Sequence, residues 1–480
     1  MNRLRREACP IGGEWVTGEA WLPVSDPASG AVIGQVPDFC VAETRRAIAA
    51  AEAALPAWSA RTGKDRAALL RRFHDAIMDE RDALADLLTA EQGKPRAEAR
   101  SEIAYAAAFI EWFGEEAKRV YGEVNDGPRP GSRIMVLRQP IGVVAAITPW
   151  NFPAAMITRK IGPALAVGCT VVVKPAQQTP LTALALAALA EEAGIPAGAL
   201  NVVTGRDAVA IGGELCANPV VRKLSFTGST PVGAALYAQS APTIKKLSLE
   251  LGGNAPFIVM DDADIDAAVR GAIDSKFRNA GQTCVCANRI YVQDAVHDAF
   301  LDRFVAAVTA LRVGPGCDPD VEIGPLIEDK AVDKIERLIA DAVAKGARIA
   351  AGGTRDARGG RFFRPTVLAG MRDGMLALEE EAFGPLAPVV RFATEDEVVA
   401  LANRSEYGLA SYLYTRDLGR AWRIAERIEA GIVGVNTGLI STELAPFGGV
   451  KASGLGREGS RHGIEDYVEL KYVCLDLGTP

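Results

Sequence analysis

Cys284 is the residue whose surroundings most favour nucleophilic chemistry. It follows the turn Gly281–Thr283, downstream of a helical segment, whereas a structural cysteine would lie inside an apolar run. Asn151 and Glu250 each follow a short apolar run that is typical of a buried strand. Because ligands of open α/β sheets bind at the carboxyl ends of the strands, we expect this amide and this carboxylate to lie near one crevice.

A thiol, an amide and a carboxylate together suit acyl chemistry at an aldehyde. A thiolate adds to the carbonyl carbon, an amide N–H stabilises the oxyanion, and a carboxylate takes a proton from the thiol or from a hydrolytic water. This scheme needs no metal ion. Each residue also has an ordinary structural interpretation: a buried core thiol for Cys284, a salt-bridged surface carboxylate for Glu250 and a helix cap for Asn151.

A nucleotide site is indicated by the segment Phe226–Gly233. A strand turns there through Gly228 directly into a helix, whose free N–H groups could hold a pyrophosphate. The segment lacks the Lys-Ser/Thr of a P-loop, which disfavours ATP. Lys174 ends another strand and either binds a ribose or phosphate or extends to solvent. The segment Gly454–Gly459 matches G-x-G-x-x-G by letter only, because it lies too near the C-terminus for the ~30-residue βαβ unit.

The chain between these residues alternates between two periodicities. Residues 41–118 carry apolar residues three and four apart, which predicts amphipathic helices. From residue 141, short Val-rich runs alternate with helical stretches, which predicts a doubly wound α/β domain. The predicted strands are Val143–Ile147, Thr170–Lys174, Asn201–Val203, Lys223–Phe226 and Leu247–Leu249. The predicted helices are Met156–Ala166, Leu181–Ala193, Ala208–Ala217 and Val232–Ser240.

A second alternating stretch, from Pro256 to about Val435, predicts a second α/β domain. Two segments far from either predicted core, Ser132–Gln139 and Asp466–Cys474, are expected to be exposed strands. Such strands either pair across subunits or serve as ordinary edge strands.

Composition excludes several other classes of protein. The 480 residues, 49% of them hydrophobic, can bury the cores of two or three domains. The net charge of −7 works against nonspecific binding to nucleic acid or to an anionic membrane. The eight cysteines are dispersed without zinc-site pairs and are expected to be cytosolic thiols. We find no secretory signal and no apolar run of membrane-spanning length, so a cytoplasmic location is expected.

Seven motifs occur in the order found in the NAD(P)-dependent aldehyde dehydrogenase superfamily, which essentially the whole chain resembles. They are Pro149–Pro153, Lys174–Ala176, Phe226–Ser229, Leu249–Gly253, Gly281–Cys284, Glu381–Pro385 and Pro446–Gly449. The resemblance implies an aldehyde-dehydrogenase-like α/β fold with a Rossmann-type cofactor domain, an α/β catalytic domain and a small β oligomerisation arm. We expect these to comprise residues 1–124 with 141–250, residues 251–435, and residues 125–140 with 460–480.

The resemblance also implies a role for each motif residue. Cys284 would be the nucleophile and Glu250 the general base, while the Asn151 side chain and the Cys284 backbone N–H would form the oxyanion hole. Lys174 and Glu381 would bind ribose hydroxyls. The expected cofactor-binding residues are Trp150, Asn151, Lys174, Gln177, Gly228, Ser229, Leu251, Glu381 and Phe383. No metal site is implied.

Within the superfamily, four segments are similar to the succinate-semialdehyde dehydrogenases. They are Met156–Lys160, Ser275–Arg278, Cys284–Asn288 and Gly438–Ser441. Guanidinium groups bind carboxylates in bidentate geometry, so we expect Arg159 and Arg278, with the Ser441 hydroxyl, to hold the carboxylate at the far end of the substrate. Alternatively, both arginines form structural salt bridges. Glutarate semialdehyde, one carbon longer, is the nearest alternative substrate.

Gln177 leaves the choice of cofactor open. NAD-preferring aldehyde dehydrogenases commonly have a glutamate three residues after the motif lysine, where it repels a 2′-phosphate. Because Gln177 is neutral, we expect NADP to be accepted and preferred, with NAD also usable.

Cys286 lies two residues beyond the expected nucleophile. Relatives with this Cys-x-Cys close a reversible disulfide under oxidation, which would switch the enzyme off. The alternative is a bystander thiol, in which case Cys286→Ser would leave reversible peroxide inactivation unchanged.

Two other classes of function compete with this interpretation. A cofactor-independent cysteine hydrolase or acyltransferase would give no reason for Lys174, Glu381 and the Gly228 turn. A non-enzymatic binding protein would leave the intact set Asn151, Glu250 and Cys284 without a role. The family resemblance further implies a homodimer or homotetramer joined through the exposed strands, a small-molecule substrate in 4-aminobutyrate degradation, and no nucleic-acid or membrane partner.

Overall fold

Two β-hairpins and four helices precede the first large sheet. In the computed structural model, which describes residues 4–478, the hairpin strands are β1 (Cys9–Ile11), β2 (Glu14–Val16), β3 (Trp21–Ser25) and β4 (Val32–Pro37). The helices are α1 (Val41–Ser59), α2 (Gly63–Asp79), α3 (Arg81–Gln92) and α4 (Arg96–Glu116). Their buried faces repeat at three and four residues, as in Leu69, Leu70 and Phe73 of α2, so the predicted amphipathic helices are confirmed.

The next stretch contains a short antiparallel pair and then five strands separated by helices. The strands are β5 (Glu123–Asp126), β6 (Ser132–Pro140), β7 (Val143–Ile147), β8 (Thr170–Lys174), β9 (Leu200–Val202), β10 (Val221–Thr227) and β11 (Lys246–Glu250). The helices are α5 (Ala155–Val167), α6 (Pro180–Glu192), α7 (Ala208–Ala217) and α8 (Thr230–Ser240). Every strand and helix predicted here is present, with its ends within about two residues of the prediction.

The remainder of the chain contains all strands of a second large sheet and some strands of other sheets. Its helices are α9 (Ile265–Phe277), α10 (His297–Ala310), α11 (Asp329–Ala344), α12 (Leu376–Glu379), α13 (Glu395–Asn403) and α14 (Leu418–Arg427). Its strands are β12 (Ala255–Val259), β13 (Ala287–Gln293), β14 (Arg348–Ala351), β15 (Thr366–Ala369), β16 (Leu386–Phe392), β17 (Tyr407–Gly408), β18 (Ala410–Tyr414) and β19 (Ile432–Val435), followed by β20 (Val450–Lys451), β21 (Gly454–Leu455) and β22 (Val468–Asp476). Short 3₁₀ helices lie at Ala241–Thr243, Arg278–Gly281 and Arg461–Tyr467.

The last strand begins later than the sequence predicts. Residues 461–467 form a 3₁₀ helix because Ile464 and Tyr467 are buried in the first hydrophobic core, and β22 starts only at Val468. Residues 1–3 of the predicted cofactor domain and 479–480 of the predicted arm lie outside the described residues.

The first sheet gathers its strand ends at one edge. Its order is β21-β11-β10-β7-β8-β9, and all neighbouring strands are parallel except β21, which runs antiparallel to β11. In the register, Ile147 aligns with Lys174, and Thr227 aligns with Glu250. The residues that follow or end these strands therefore meet at the carboxyl edge, as a doubly wound sheet requires.

The second sheet faces the same region with the amino ends of its strands. Its order is β14-β15-β16-β13-β12-β18-β19, parallel except for β14. The loop that carries Cys284 enters β13, and the loop that carries Glu381 and Phe383 enters the neighbouring β16. These functional residues consequently lie at the amino ends of their strands.

Three hydrophobic cores accompany the two sheets. One contains residues between 4 and 251 together with 464–468, and the other two contain residues between 255 and 447 and between 258 and 428. The predicted boundary between residues 250 and 251 lies close to this change of core, although the division into domains stays a prediction. Within residues 4–478, no helix combines the length and apolar character needed to cross a membrane.

Candidate active site

A cavity of about 390 Å³ lies where the two sheets meet. Eight of the predicted site residues line it: Trp150, Asn151, Gly228, Ser229, Leu251, Cys284, Glu381 and Phe383. A volume of this size is in the range of small-molecule sites. The structure therefore brings together thiol, amide and carboxylate groups that lie far apart in the sequence.

Asn151 is fixed from both ends at the carboxyl edge of the first sheet. Its backbone carbonyl accepts hydrogen bonds from Lys94 Nζ at 2.7 Å and from Asn279 Nδ2 at 3.0 Å. Its own Nδ2 donates to the carbonyl of Gln282 at 3.0 Å, in the turn that precedes Cys284. The alternative role as a helix cap is wrong, because helix α5 begins only at Ala155 and is capped by another residue.

Glu250 ends β11 as a buried carboxylate without a hydrogen-bond partner within the described residues. Its side chain is 3% exposed, so the alternative of a surface salt bridge is wrong. Burial and then the carboxylate of Glu458 raise its pKa well above the ordinary value. An unpartnered carboxyl group with a raised pKa is suited to accepting a proton from a thiol or a water molecule.

The turn after β10 differs in one respect from the expectation. The N–H of Gly228 donates to the backbone carbonyl of Glu250 at 3.0 Å and is not free for a phosphate. Helix α8 then begins at Thr230, with Ser229 as its uncapped N-terminal neighbour. The candidate phosphate-binding groups are thus the first N–H groups of the helix.

Glu458 is the centre of a buried charge cluster that the sequence analysis did not anticipate. Its carboxylate pairs with Arg159 at 2.7 Å and with the ammonium group of Lys160, which also donates to Thr227 Oγ1 at 2.6 Å. Burial alone would raise the pKa of Glu458, but Lys160 and Arg159 outweigh it and lower the pKa. One ionised carboxylate therefore lies beside the raised-pKa carboxyl of Glu250.

Cys284 reaches the cavity from the second sheet. The residue as a whole is partly exposed, but its thiol is enclosed by surrounding atoms. This burial, followed by the carboxylate of Glu381, raises the pKa of the thiol to about 12. Its backbone packs so closely on Gly253 that a Cβ there would lie 2.4 Å from the Cys284 carbonyl oxygen. The glycine of the Leu249–Gly253 motif is therefore required for the two sheets to meet.

The loops around Cys284 are strained. Asn279 and Ala280 have φ of 53° and 56°, and Phe383 has φ of 51°, which is the left-handed region that non-glycine residues avoid. Surrounding contacts hold the first turn, since the N–H of Asn279 donates to Glu98 at 2.8 Å. Strain of this kind clusters at functional sites.

The two predicted carboxylate-binding arginines have different environments. Arg159 is 2% exposed, pairs with Glu458, and lies 4.1 Å from the ring centroid of Phe447. Its Nη2 nevertheless has no hydrogen-bond partner within residues 4–478. Arg278 is partly exposed, lies 5.2 Å from the ring centroid of Phe152, and forms no ion pair within the same residues.

Ser441 is not joined to either arginine. It lies partly exposed between β19 and β20, and no hydrogen bond of its side chain to another described residue is observed. Its predicted part in holding a carboxylate stays a prediction.

Of the predicted ribose-binding residues, Lys174 is buried and Glu381 is partly exposed. Lys174 Nζ donates only to the Pro175 carbonyl at 3.1 Å within the described residues, and burial lowers its pKa to about 8. Glu381 accepts from the N–H of Gly253 at 3.1 Å, and burial raises its pKa to about 7. Neither has a side-chain partner of opposite charge in direct contact among these residues, so each can bind a polar ligand.

Gln177 lies outside the main cavity. It lines an adjoining cleft of about 450 Å³ that shares Ile327 and Glu328 with the cavity. The rings of Trp150 and Phe383 meet edge to face at 5.7 Å in the main cavity. The cavity and the cleft together offer an elongated space rather than a single small pocket.

Cys286 points away from open solvent. It is 4% exposed, accepts a hydrogen bond from Lys276 Nζ at 3.5 Å, and donates to the Gly281 carbonyl at 3.4 Å. Burial raises the pKa of its thiol. Disulfide formation with Cys284 stays a prediction.

Three functional neighbours were missed from the sequence. Lys160 follows Arg159 in a fully buried helix that has no other charged residue. Two adjacent cations in an apolar segment are a signal that could have predicted a buried anionic partner. Glu458 lies in the glycine-rich segment that was considered only for phosphate binding, and Lys94 lies between two helices without a distinctive pattern. No periodicity in the sequence singles out these last two.

Comparison with known proteins agrees with this geometry. The model of the aldehyde dehydrogenase family matches residues 15–473. The chain is 61% identical to a glutarate-semialdehyde dehydrogenase of Pseudomonas aeruginosa, covering 98% of both chains, and 60% identical to the succinate-semialdehyde dehydrogenase [NADP(+)] GabD of Escherichia coli, covering 99% of both. A crystal structure of the succinate-semialdehyde dehydrogenase from Burkholderia pseudomallei superimposes with a TM-score of 0.97 at 61% identity, covering 98% of both chains.

Proposed function

Because the chain belongs to the aldehyde dehydrogenase family, we propose that it oxidises succinate semialdehyde to succinate with NADP or NAD. The observation that carries the choice of substrate is Arg278, a guanidinium without an ion pair among the described residues. It rests on Phe152, which lines the cavity beside Cys284. An aldehyde with a carboxylate at its other end would supply the missing anion.

In the proposed mechanism, Cys284 attacks the aldehyde carbon as a thiolate. The resulting thiohemiacetal oxyanion accepts hydrogen bonds from the Asn151 amide and from the Cys284 N–H. The raised pKa of the thiol means that the resting enzyme holds it protonated. Deprotonation therefore needs a base that is near it, and Glu250 interacts electrostatically with this thiol.

Glu250 then serves the second half of the reaction. Once a thioester has formed on Cys284, the carboxylate of Glu250 takes a proton from a water molecule, which hydrolyses the thioester. Burial and then the repulsion from Glu458 raise the pKa of Glu250. A stronger base accepts that proton more readily.

The residues present fit a nicotinamide dinucleotide. The cavity continues into the cleft lined by Gln177, Lys174 lacks an ion-pair partner within residues 4–478, and the carboxylate of Glu381 is a hydrogen-bond acceptor in the cavity wall. When bound, the cofactor supplies the hydride acceptor. Trp150, Gly228, Ser229, Leu251 and Phe383 would hold it against Cys284.

Recognition of the substrate carboxylate would use both arginines. Arg278 contributes an uncompensated charge, and Arg159 contributes the unpartnered Nη2 while Glu458 holds its other side. Ser441 would add a hydroxyl donor. The cofactor preference for NADP follows from the neutral Gln177.

We further propose a homodimer or homotetramer joined through the arm formed by β5, β6 and β22. These antiparallel strands expose the apolar side chains of Val124, Leu137, Leu470 and Tyr472, which favours contact with another subunit. We place the reaction in the cytoplasm, in keeping with eight free thiols, where it would consume the semialdehyde formed in 4-aminobutyrate degradation.

Glutarate semialdehyde is the second candidate substrate. The similarity to the Pseudomonas aeruginosa enzyme favours it, and one additional methylene changes pocket contacts by only about 1–3 kcal/mol.

Formation of reduced nicotinamide tests the proposal. Wild-type protein and Cys284→Ala should be assayed with succinate and glutarate semialdehydes, each with NADP and with NAD. We expect turnover of at least one semialdehyde by the wild type, a higher kcat/KM with NADP, and none with the variant. Absence of turnover in folded protein with reduced thiols would overturn the choice of substrate.

A further inference from the structure

Lys94 is a buried lysine next to Asn151, the candidate oxyanion-binding residue. Its ammonium group contacts a carboxylate, a backbone carbonyl and an aromatic ring. Its Nζ donates to Glu102 at 2.6 Å and to the backbone carbonyl of Asn151 at 2.7 Å. It also lies 3.8 Å from the ring centroid of Phe152. The side chains of Lys94 and Glu102 are both 0% exposed.

The partner carboxylate has a second function in the same place. The other oxygen of Glu102 accepts hydrogen bonds from the N–H groups of Ala154 at 2.9 Å and Ala155 at 3.3 Å. Helix α5 has no side-chain cap of its own, so Glu102 supplies the cap from helix α4. The Lys94–Glu102 pair therefore fixes both the carbonyl of Asn151 and the start of the helix that follows it.

The contacts extend to the thiol loop. The Asn151 carbonyl that accepts from Lys94 also accepts from Asn279, and the Asn151 amide donates to Gln282. The ring of Phe152 contacts Arg278 as well as Lys94. Displacement of one backbone carbonyl would thus tilt the amide that faces the reacting aldehyde.

We propose that Lys94 is a positioning residue for the Asn151 amide, which it aims at the oxyanion through the Asn151 backbone. This inference rests on the proposed function, because it concerns the same thiohemiacetal oxyanion. Lys94 touches neither substrate nor cofactor in this account. A misplacement of about 1 Å can cost roughly 100-fold in rate, so the effect of losing Lys94 should be large.

A double-mutant cycle between Lys94→Met and Asn151→Ala tests the inference. In the wild-type background, Lys94→Met should lower kcat by roughly 100-fold with little change in KM, because the oxyanion exists only after attack. In the Asn151→Ala background, the same change should cost less than about threefold, because the amide it positions is absent. Equal losses in the two backgrounds would overturn the inference.

Lys245→Met is the matched control. Lys245 is also buried and, among residues 4–478, donates only to the backbone carbonyls of Leu215 and Asn218, away from the cavity. It should lower stability without changing kcat by more than about twofold. A comparable fall in kcat for Lys245→Met would mean that loss of any buried lysine suffices, and would contradict the inference.

Two further outcomes separate this inference from the proposed function. Inactive wild-type protein would refute the proposed function, and an unchanged rate for Asn151→Ala would refute the oxyanion assignment. If Lys94→Met does not fold, Glu102→Gln replaces it, since an amide oxygen retains the cap at Ala154 while removing the anion that holds Lys94. Glu102→Gln should show the same smaller loss in the Asn151→Ala background, and an equal loss would overturn the inference.

Discussion

The two sheets contribute to one site through opposite edges. The first sheet offers the carboxyl ends of its strands, where regular register aligns Thr227 with Glu250 and places Asn151 just beyond β7. The second sheet offers the amino ends of β13 and β16, where Ala280 and Phe383 have left-handed backbones. Strand register fixes the positions of the residues at the edge of the first sheet. Loops with left-handed backbones hold the residues at the edge of the second sheet.

Because of this difference, we predict that a substitution at one edge can abolish turnover without weakening the binding of NADP. Cys284→Ala should lower turnover by at least about 10⁴-fold, because the nucleophile is lost. Affinity for NADP, measured by fluorescence titration, should change little, since most of the cofactor contacts come from the first sheet. Cys317→Ala, which removes an exposed thiol, should behave as wild type. A large loss of NADP affinity in Cys284→Ala would show that the two edges are not independent.

The buried charges of the first sheet give a second prediction, on pH dependence. Glu458→Gln removes a like charge beside Glu250 and leaves Lys160 and Arg159 uncompensated, and both changes lower the pKa of Glu250. Glu250 then loses its proton at lower pH, so the acid limb of the kcat/KM profile should move to lower pH.

The same substitution should reduce the free energy of unfolding by about 3–5 kcal/mol, because buried cations lose their partner. Urea denaturation measures this loss. Glu465→Gln, at an exposed position in the same C-terminal region, is the control. An acid limb that stays in place or moves to higher pH would contradict the proposed coupling of Glu458 to Glu250.

The sequence predicts the fold better than it predicts the site. Within the site, it predicts the residues at the edge of the first sheet better than those at the edge of the second sheet. Strand ends such as Lys174 and Glu250 follow from short apolar runs, and the rule on carboxyl ends then brings them together. That rule does not apply to Cys284 and Phe383: the Gly281–Thr283 turn before Cys284 indicated a reactive thiol, but only the family resemblance identified Phe383. Long-range partners such as Glu458 and Lys94 depend on packing between distant segments, which no local pattern encodes.

The cleft beside the first sheet gives a prediction on cofactor choice. Gln177→Glu places a negative charge where a 2′-phosphate is expected, so the ratio of kcat/KM for NADP over NAD should fall by roughly tenfold or more. Gln178→Glu, in the same cleft, is the matched control and should change the ratio less. Equal effects at the two positions would contradict the role assigned to Gln177.

The smallest expected effect concerns strain itself. Ala280→Gly and Ala146→Gly each delete a buried methyl group, but only Ala280 has a left-handed backbone. The left-handed conformation costs alanine about 1–2 kcal/mol, and glycine does not incur this cost. Ala280→Gly should therefore lower the free energy of unfolding less than Ala146→Gly in urea denaturation. Equal losses of unfolding free energy would mean that the second edge stores no strain.

In the proposed function, the site combines the nucleophilic thiol of Cys284 with a cation, Arg278, that binds the carboxylate of the aldehyde substrate. The most direct measurement is the ratio of kcat/KM for succinate semialdehyde over butanal, which has the same four carbons without the carboxylate. Arg278→Met should lower this ratio by about 30-fold or more, while Arg270→Met, in the preceding helix α9, leaves it unchanged. An unchanged ratio in Arg278→Met would show that Arg278 does not bind the carboxylate of the substrate.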